Sequence, residues 1–127
     1  MITVADVMTR DVLVLLADTT LREAAGYLAN QHVSGAPVVD ARRRITGALT
    51  TSDLLQAESE GVDLETTSVE DVMSRRPLTV TPETELKEAA LAMEYGEVHR
   101  LFVERDGLLV GVVSRSDVSR ALATGRV

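Results

Sequence analysis

The sequence predicts an α+β fold: two β-α-β-β-α repeats packed sheet to sheet as one pseudo-two-fold module. Three observations carry this expectation, namely an internal repeat, the same order of apolar periodicities in both halves, and a length of 127 residues. Residues 4–10 (VADVMTR) return as residues 69–75 (VEDVMSR), and residues 19–28 (TTLREAAGYL) return as residues 84–93 (TELKEAALAM). Both offsets are 65, and 13 of the 35 pairs between residues 4–38 and 69–103 are identical. The offset then falls to 64, where GALTTSDLL at 47–55 meets GVVSRSDVS at 111–119. The missing residue falls in DARRRIT against ERDGLLV, and a hairpin turn absorbs such a change at little cost.

The repeats are read as residues 1–58 and 69–127, with a linker at about 59–68. Each opens on a short extended stretch, VLVL or LTV. A helix follows, with apolar residues at Leu21, Ala24, Ala25 and Leu28, or at Leu86, Ala89, Ala90 and Met93. That i, i+3, i+4, i+7 spacing makes one apolar stripe. Thr20 and Glu23 have the spacing of a capping box at the first of these helices. A strand (Ala36–Val39 or Leu101–Val103), a turn (Arg42–Arg44 or Asp106–Gly107) and a second strand (Ile45–Leu49 or Leu109–Val113) come next. A last helix is expected from near Ser52–Asp53 or Ser116–Asp117. The polar, acidic residues 56–68 end the first such helix and link the repeats. A unit of this size buries only about 60% of its unfolded surface. Packing two sheets together with helices outside covers the face that each would leave open.

Composition narrows the function classes. Apolar residues make up 45% of the chain and charged residues 26%, an ordinary globular balance. Phe102, Tyr27 and Tyr95 are the only aromatics, too few for a base-stacking platform. The longest apolar run, Val12 to Ala17, has six residues, against the ~18 of a membrane helix. No basic, then apolar leader is visible, so a cytoplasmic protein is expected, with no membrane partner. Cysteine is absent, which removes disulfides and thiol chemistry. The formal charge of −7 argues against a nucleic-acid partner, and a bound anion would need local positive groups. No G-x-S-x-G, HExxH or Walker loop occurs, and two histidines without cysteine make no closed metal site. No enzyme activity is expected.

The twice-written phrase allows two readings. Gly47 permits a close approach, Ala48 and Leu49 are core, and Thr50 and Ser52 offer hydroxyls where the next helix starts. Free N–H groups and the positive helix end lie there too, which suits a phosphate. Asp53, an acceptor-only carboxylate, suits two neighbouring sugar hydroxyls. Alternatively, Ser52 is simply an N-cap and Asp53 favours the first turn. Read that way, capping makes no use of Thr50.

V-x-D-V-M-[TS]-R ahead of each repeat, the short apolar strand after SGAP, and glycine, two apolar residues, [TS]-x-S-D in both repeats resemble the CBS domain family, named after cystathionine β-synthase. The resemblance spans roughly residues 4–58 and 69–124, and a tandem pair resembles a Bateman module. It implies a regulatory role without an obligatory cofactor, and two clefts between the repeats for an adenosine-containing ligand such as AMP, ADP, ATP or S-adenosylmethionine. One cleft would combine Ser114, Ser116 and Asp117 with Thr9, Val14, Val33, Ser34 and Gly35. The other would combine Thr50, Ser52 and Asp53 with Ser74, Thr79, Val98, His99 and Arg100. The aspartates would meet ribose, and the backbone around Val33–Gly35 or Val98–Arg100 the base edge. His99 and Arg100 would supply donors near phosphate where Ser34 and Gly35 supply none, which favours the Asp53 cleft for a charged ligand. Arg115, in place of Thr51, joins the candidates, with a solvated surface position as the other reading for it and Arg100. Phe102 stands where the family usually has proline, as at Pro37; it could fill a base pocket or pack the sheet, and packing is expected. The resemblance further implies a homodimer formed through the helices and an effector protein that the sequence does not identify. The alternative to sensing is a ligand-free interaction scaffold.

Overall fold

Both repeats fold in the order that their periodicity predicts. The computed structural model describes all 127 residues. In chain order the elements are α1 (Val4–Val7), β1 (Leu15–Leu16), α2 (Leu21–Asn30), β2 (Gly35–Val39), β3 (Ile45–Thr50) and α3 (Thr51–Ser59). A 3₁₀ turn at Val69–Asp71 precedes β4 (Thr79–Val80), α4 (Leu86–Gly96), β5 (Arg100–Arg105), β6 (Leu108–Ser114) and α5 (Arg115–Ala123). No helix is long and apolar enough to cross a membrane.

Two three-stranded sheets result, ordered β1-β2-β3 and β4-β5-β6. In each, the first pair is parallel and the second antiparallel. The central strand β2 is buried at every residue, as a strand covered on both faces must be. The hairpin registers break at Val38/Val39 and at Val103/Glu104. Past those bulges, Val39 pairs with Ile45 across five residues and Glu104 pairs with Leu109 across four, which is where the repeat loses its residue. Asp106 and Gly107 both have positive φ, 54° and 82°, as a two-residue type I′ turn requires. The longer turn is held by Asp40, whose carboxylate accepts from the Arg42 and Arg44 amides and from Arg44 Nε.

Two compact units divide the chain, one of residues 13–77 and one of residues 1–12 with 78–127. Each unit holds one sheet, two long helices and one V-x-D-V-M segment, so the segment of the first repeat serves the sheet of the second. The two segments are held alike. The amides of Val4 and Val69 donate to the carbonyls of Thr84 and Thr19, both at 2.8 Å. Thr9 exchanges two backbone hydrogen bonds with Val112, and Ser74 two with Ala48, all at 2.9 Å. Val4 and Val69 are fully buried and Met8 and Met73 nearly so.

The helical stripes supply the cores. Leu21, Ala24 and Leu28 join Leu15, Val38, Leu49 and Val69 in the unit of residues 13–77. Leu86, Ala89 and Met93 join Val4, Leu101, Val103 and Val113 in the other. Ala25 and Ala90 lie half-buried at the stripe margins, and Phe102 is buried in its sheet as expected. Thr20 caps α2 and Glu23 answers it. The stretch read as a linker is pinned rather than loose: Leu64 and Thr67 carbonyls accept from the Arg22 and Leu21 amides at 3.0 Å, and Val62 and Leu64 pack on the core.

Candidate functional site

The repeated phrase is a strand running straight into a helix. Thr50 and Ser114 are the last extended residues (φ −120°, ψ 164° and φ −124°, ψ 167°), and the helices begin at Thr51 and Arg115. The N-cap is therefore Thr50, not Ser52, because an N-cap must still be extended while the residue after it is helical. The Asp53 amide donates to Thr50 Oγ1 at 3.2 Å, and Asp53 Oδ2 accepts from the Thr50 amide at 2.9 Å. Ser114 and Asp117 do the same at 3.3 and 2.7 Å. The hydroxyl and the aspartate three residues on are thus a reciprocal capping box, so capping accounts for Thr50 after all. Thr3 with Asp6 repeats the arrangement at α1, and there the Thr3 amide holds the Asp6 carboxyl below the usual carboxylate range. Ser52 and Ser116 sit exposed in the first turns.

The glycine that opens the phrase has a specific task. A Cβ on Gly47 would stand 2.6 Å from Met73 Sδ and 2.7 Å from the Ser74 carbonyl oxygen. On Gly111 it would stand 2.9 Å from Met8 Sδ and 2.8 Å from the Thr9 carbonyl oxygen. Glycine here lets the V-x-D-V-M segment bridge to the strand and brings Thr9 or Ser74 alongside the junction.

Each unit holds half of the candidates expected at its own junction and half of those expected at the other. Gly35 pairs with Thr50 and Arg100 with Ser114. The Thr51 amide donates to the Ser34 carbonyl at 2.9 Å, and the Arg115 amide to the His99 carbonyl at 3.0 Å. One unit therefore collects Val33, Ser34, Gly35, Thr50, Ser52, Asp53 and Ser74. The other collects Thr9, Val98, His99, Arg100, Ser114, Arg115, Ser116 and Asp117. Val14 lies half-buried just before β1, and Thr79 pairs with Phe102 in its own sheet. Arg100 and His99 thus share a unit with Asp117, and Ser34 and Gly35 share one with Asp53.

The two junctions differ in charge and in free valence. Asp53 is half-buried; its Oδ2 takes the Thr50 amide and its Oδ1 accepts nothing. Asp117 is only 4% exposed. Its Oδ2 accepts from the Ser114 amide and hydroxyl, and its Oδ1 from the guanidinium of Arg120. Arg115 is turned toward the end of α4, donating to the carbonyls of Val98 at 3.2 Å and Met93 at 3.4 Å, with Glu94 3.7 Å away. Arg100 is half-buried, and its desolvation lowers its pKa from the ordinary arginine value. A cavity of about 330 Å³ opens beside Asp117, lined by Asp6, Val7, Arg120, Ala121, Thr124 and Arg126. Arg120 lies outside the candidates that the sequence suggests; its spacing of three from Asp117, against Gln56 at the matching place, is the signal that could have found it.

The family model described as CBS domain matches residues 4–60 and 69–124. A homoserine O-acetyltransferase of Methanohalophilus mahii is 35% identical over 98% of this chain. The chain spans only a quarter of that relative, and 40% of the MJ1232 protein of Methanocaldococcus jannaschii, to which it is 30% identical. A 17.7 kDa protein of Acidianus ambivalens is 30% identical, with 94% of this chain and 72% of that protein covered. Among solved structures, CBSX2 in complex with AMP superposes with a TM-score of 0.89 at 31% identity, covering 100% of both chains; CBSX2 is from Arabidopsis thaliana.

Proposed function

This chain belongs to the CBS domain family, and from that premise we propose that it is a regulatory module that senses an adenosine nucleotide through its paired repeats. The observation that carries this reading is the AMP complex of CBSX2, a protein similar to this one from end to end. The junction chemistry supports it. A carboxylate at a helix start can accept from both hydroxyls of a ribose, and nearby helix N-termini suit a phosphate. Asp53 has the free oxygen for that task, with Thr50, Ser52 and Ser74 around it, and Asp117 is the corresponding group in the second unit. Thr9, Val14, Val33–Gly35, Thr79 and Val98–Arg100 complete the contact set, and the reading assigns no catalytic step to any of them. Long relatives such as the acetyltransferase match this chain over only a quarter of their length, which supports a role in which the module reports to an effector. Exposed Tyr27, Leu55, Leu91 and Leu122 on helices α2 to α5 support association into a homodimer, and a cytoplasmic location accords with a metabolite ligand.

One observation favours a ligand-free interaction scaffold. At Asp117 the capping box and Arg120 employ both carboxylate oxygens, so the repeated phrase has a structural use without any ligand. Thermal unfolding separates the readings. AMP, ADP, ATP, S-adenosylmethionine and NAD are each titrated, and a ligand at 100 times its dissociation constant stabilises by about 2.7 kcal/mol. That raises the midpoint by several degrees for a chain of this size. No shift with any of the five at millimolar concentration contradicts sensing and leaves the scaffold.

A further inference from the structure

The two junction aspartates are written identically in sequence, yet they offer a ligand very different valence. A carboxylate has about four acceptor positions. Asp53 gives one of them to the Thr50 amide, and about three remain. Asp117 gives one to the Ser114 amide, one to the Ser114 hydroxyl and one to Arg120, and about one remains. A vicinal diol needs two. The residue that makes the difference is Arg120, one turn along α5, where α3 has Gln56. Its side chain is 71% exposed while that of Asp117 is 4% exposed, so the guanidinium lies over a carboxylate that is otherwise sealed.

Resting on the reading of the chain as an adenosine-nucleotide sensor, we propose that Arg120 is a specificity-determining latch, which closes Asp117 to a ribose diol and leaves Asp53 as the single ribose site of the chain. Three features carry it. The ion pair is local, i to i+3 on one helix, so it forms wherever α5 forms. It takes the only oxygen of Asp117 that the cap does not use. Arg120 and Asp117 also line the same cavity, beside Asp6 and Arg126, so a guanidinium released from Asp117 has an acidic neighbour and open space to occupy. The latch thus has a second position, and opening it exposes a binding carboxylate without disturbing the capping box.

Calorimetric titration of AMP tests the latch by stoichiometry. Wild-type protein binds one AMP per chain and Arg120→Gln binds two. Arg120→Lys, which keeps a donor and a charge over Asp117, stays at one. Adding Asp117→Asn to Arg120→Gln returns the count to one. Residue 120 is exposed, and the melting midpoint of Arg120→Gln, recorded alongside, stays within a few degrees of wild type. Two AMP per chain in the wild type overturns the latch, because the diol is then accepted with Arg120 in place. One AMP in Arg120→Gln overturns it as well. Saturable binding with a wrong count rejects the latch alone, whereas no binding by any variant at millimolar AMP rejects the sensor reading and the latch together.

Discussion

Gly111→Ala lowers the stability of the protein by about 2 kcal/mol, the usual cost of forcing a methyl group into filled space, and its melting midpoint by roughly 8 °C. The added Cβ would stand 2.8 Å from the Thr9 carbonyl oxygen and 2.9 Å from Met8 Sδ. The methionine can turn away, since its side chain is flexible. The carbonyl cannot, because it accepts from the Val112 amide in the bridge that docks residues 1–12. Gly47→Ala meets the same obstacle at the Ser74 carbonyl, 2.7 Å away, and is expected to cost a similar amount. Gly26→Ala is the internal control. That glycine lies in α2 with nothing within 4 Å of a new Cβ, and alanine there stabilises the helix by about 0.8 kcal/mol. Circular-dichroism melts of the three variants check the signs, two falling and one rising.

Leu86→Ala is expected to cost more, about 3 kcal/mol or above, and Leu21→Ala likewise. Both residues are fully buried at the first positions of α4 and α2. Each packs in a cluster of Leu, Val, Ala and Met without an aromatic ring. Small aliphatic cores leave a truncated leucine's space poorly refilled, so the cavity term adds to the lost transfer energy. Against a typical total of 5–15 kcal/mol, either variant removes a large share of the stability. Leu91→Ala lies on the same helix but is 49% exposed, and is expected to change stability by no more than about 0.5 kcal/mol. Denaturant titrations of Leu86→Ala and Leu91→Ala, with midpoints compared at equal slope, separate the two.

Much of the fold was legible because repetition reduces ambiguity. The α2 and α4 stripes and the hairpins each occur twice, so a pattern that is weak once becomes strong when aligned. Packing of Phe102 was legible because an apolar ring in a short apolar strand favours burial, and the ring is buried. The cap is Thr50 rather than Ser52 for a physical reason that sequence does not reveal. Thr50 and Ser52 are both hydroxyl residues at a helix start, and only backbone dihedrals reveal which of them is still extended. The grouping of residues 1–12 with 78–127 lay beyond reach as well, because the two V-x-D-V-M segments are nearly alike and nothing local says which sheet either one completes. The inequality of Asp53 and Asp117 was legible in part. Arg100 and Arg115 drew attention through their charge, but Arg120, which acts on the carboxylate itself, lies outside the repeated phrase.

Beyond building a helix cap, the junction phrase is proposed to present a carboxylate to a ribose. Asp53→Asn tests this most directly, since asparagine keeps an oxygen for the Thr50 amide while losing the charge and acceptor capacity that a diol requires. Equilibrium dialysis of AMP against wild type and Asp53→Asn, both confirmed folded by their melts, gives the answer. Wild type is expected to bind saturably and the variant about tenfold or more weakly, the loss expected for hydrogen bonds to a charged acceptor. Equal affinity in both proteins, or no saturable binding by wild type at millimolar AMP, would contradict it.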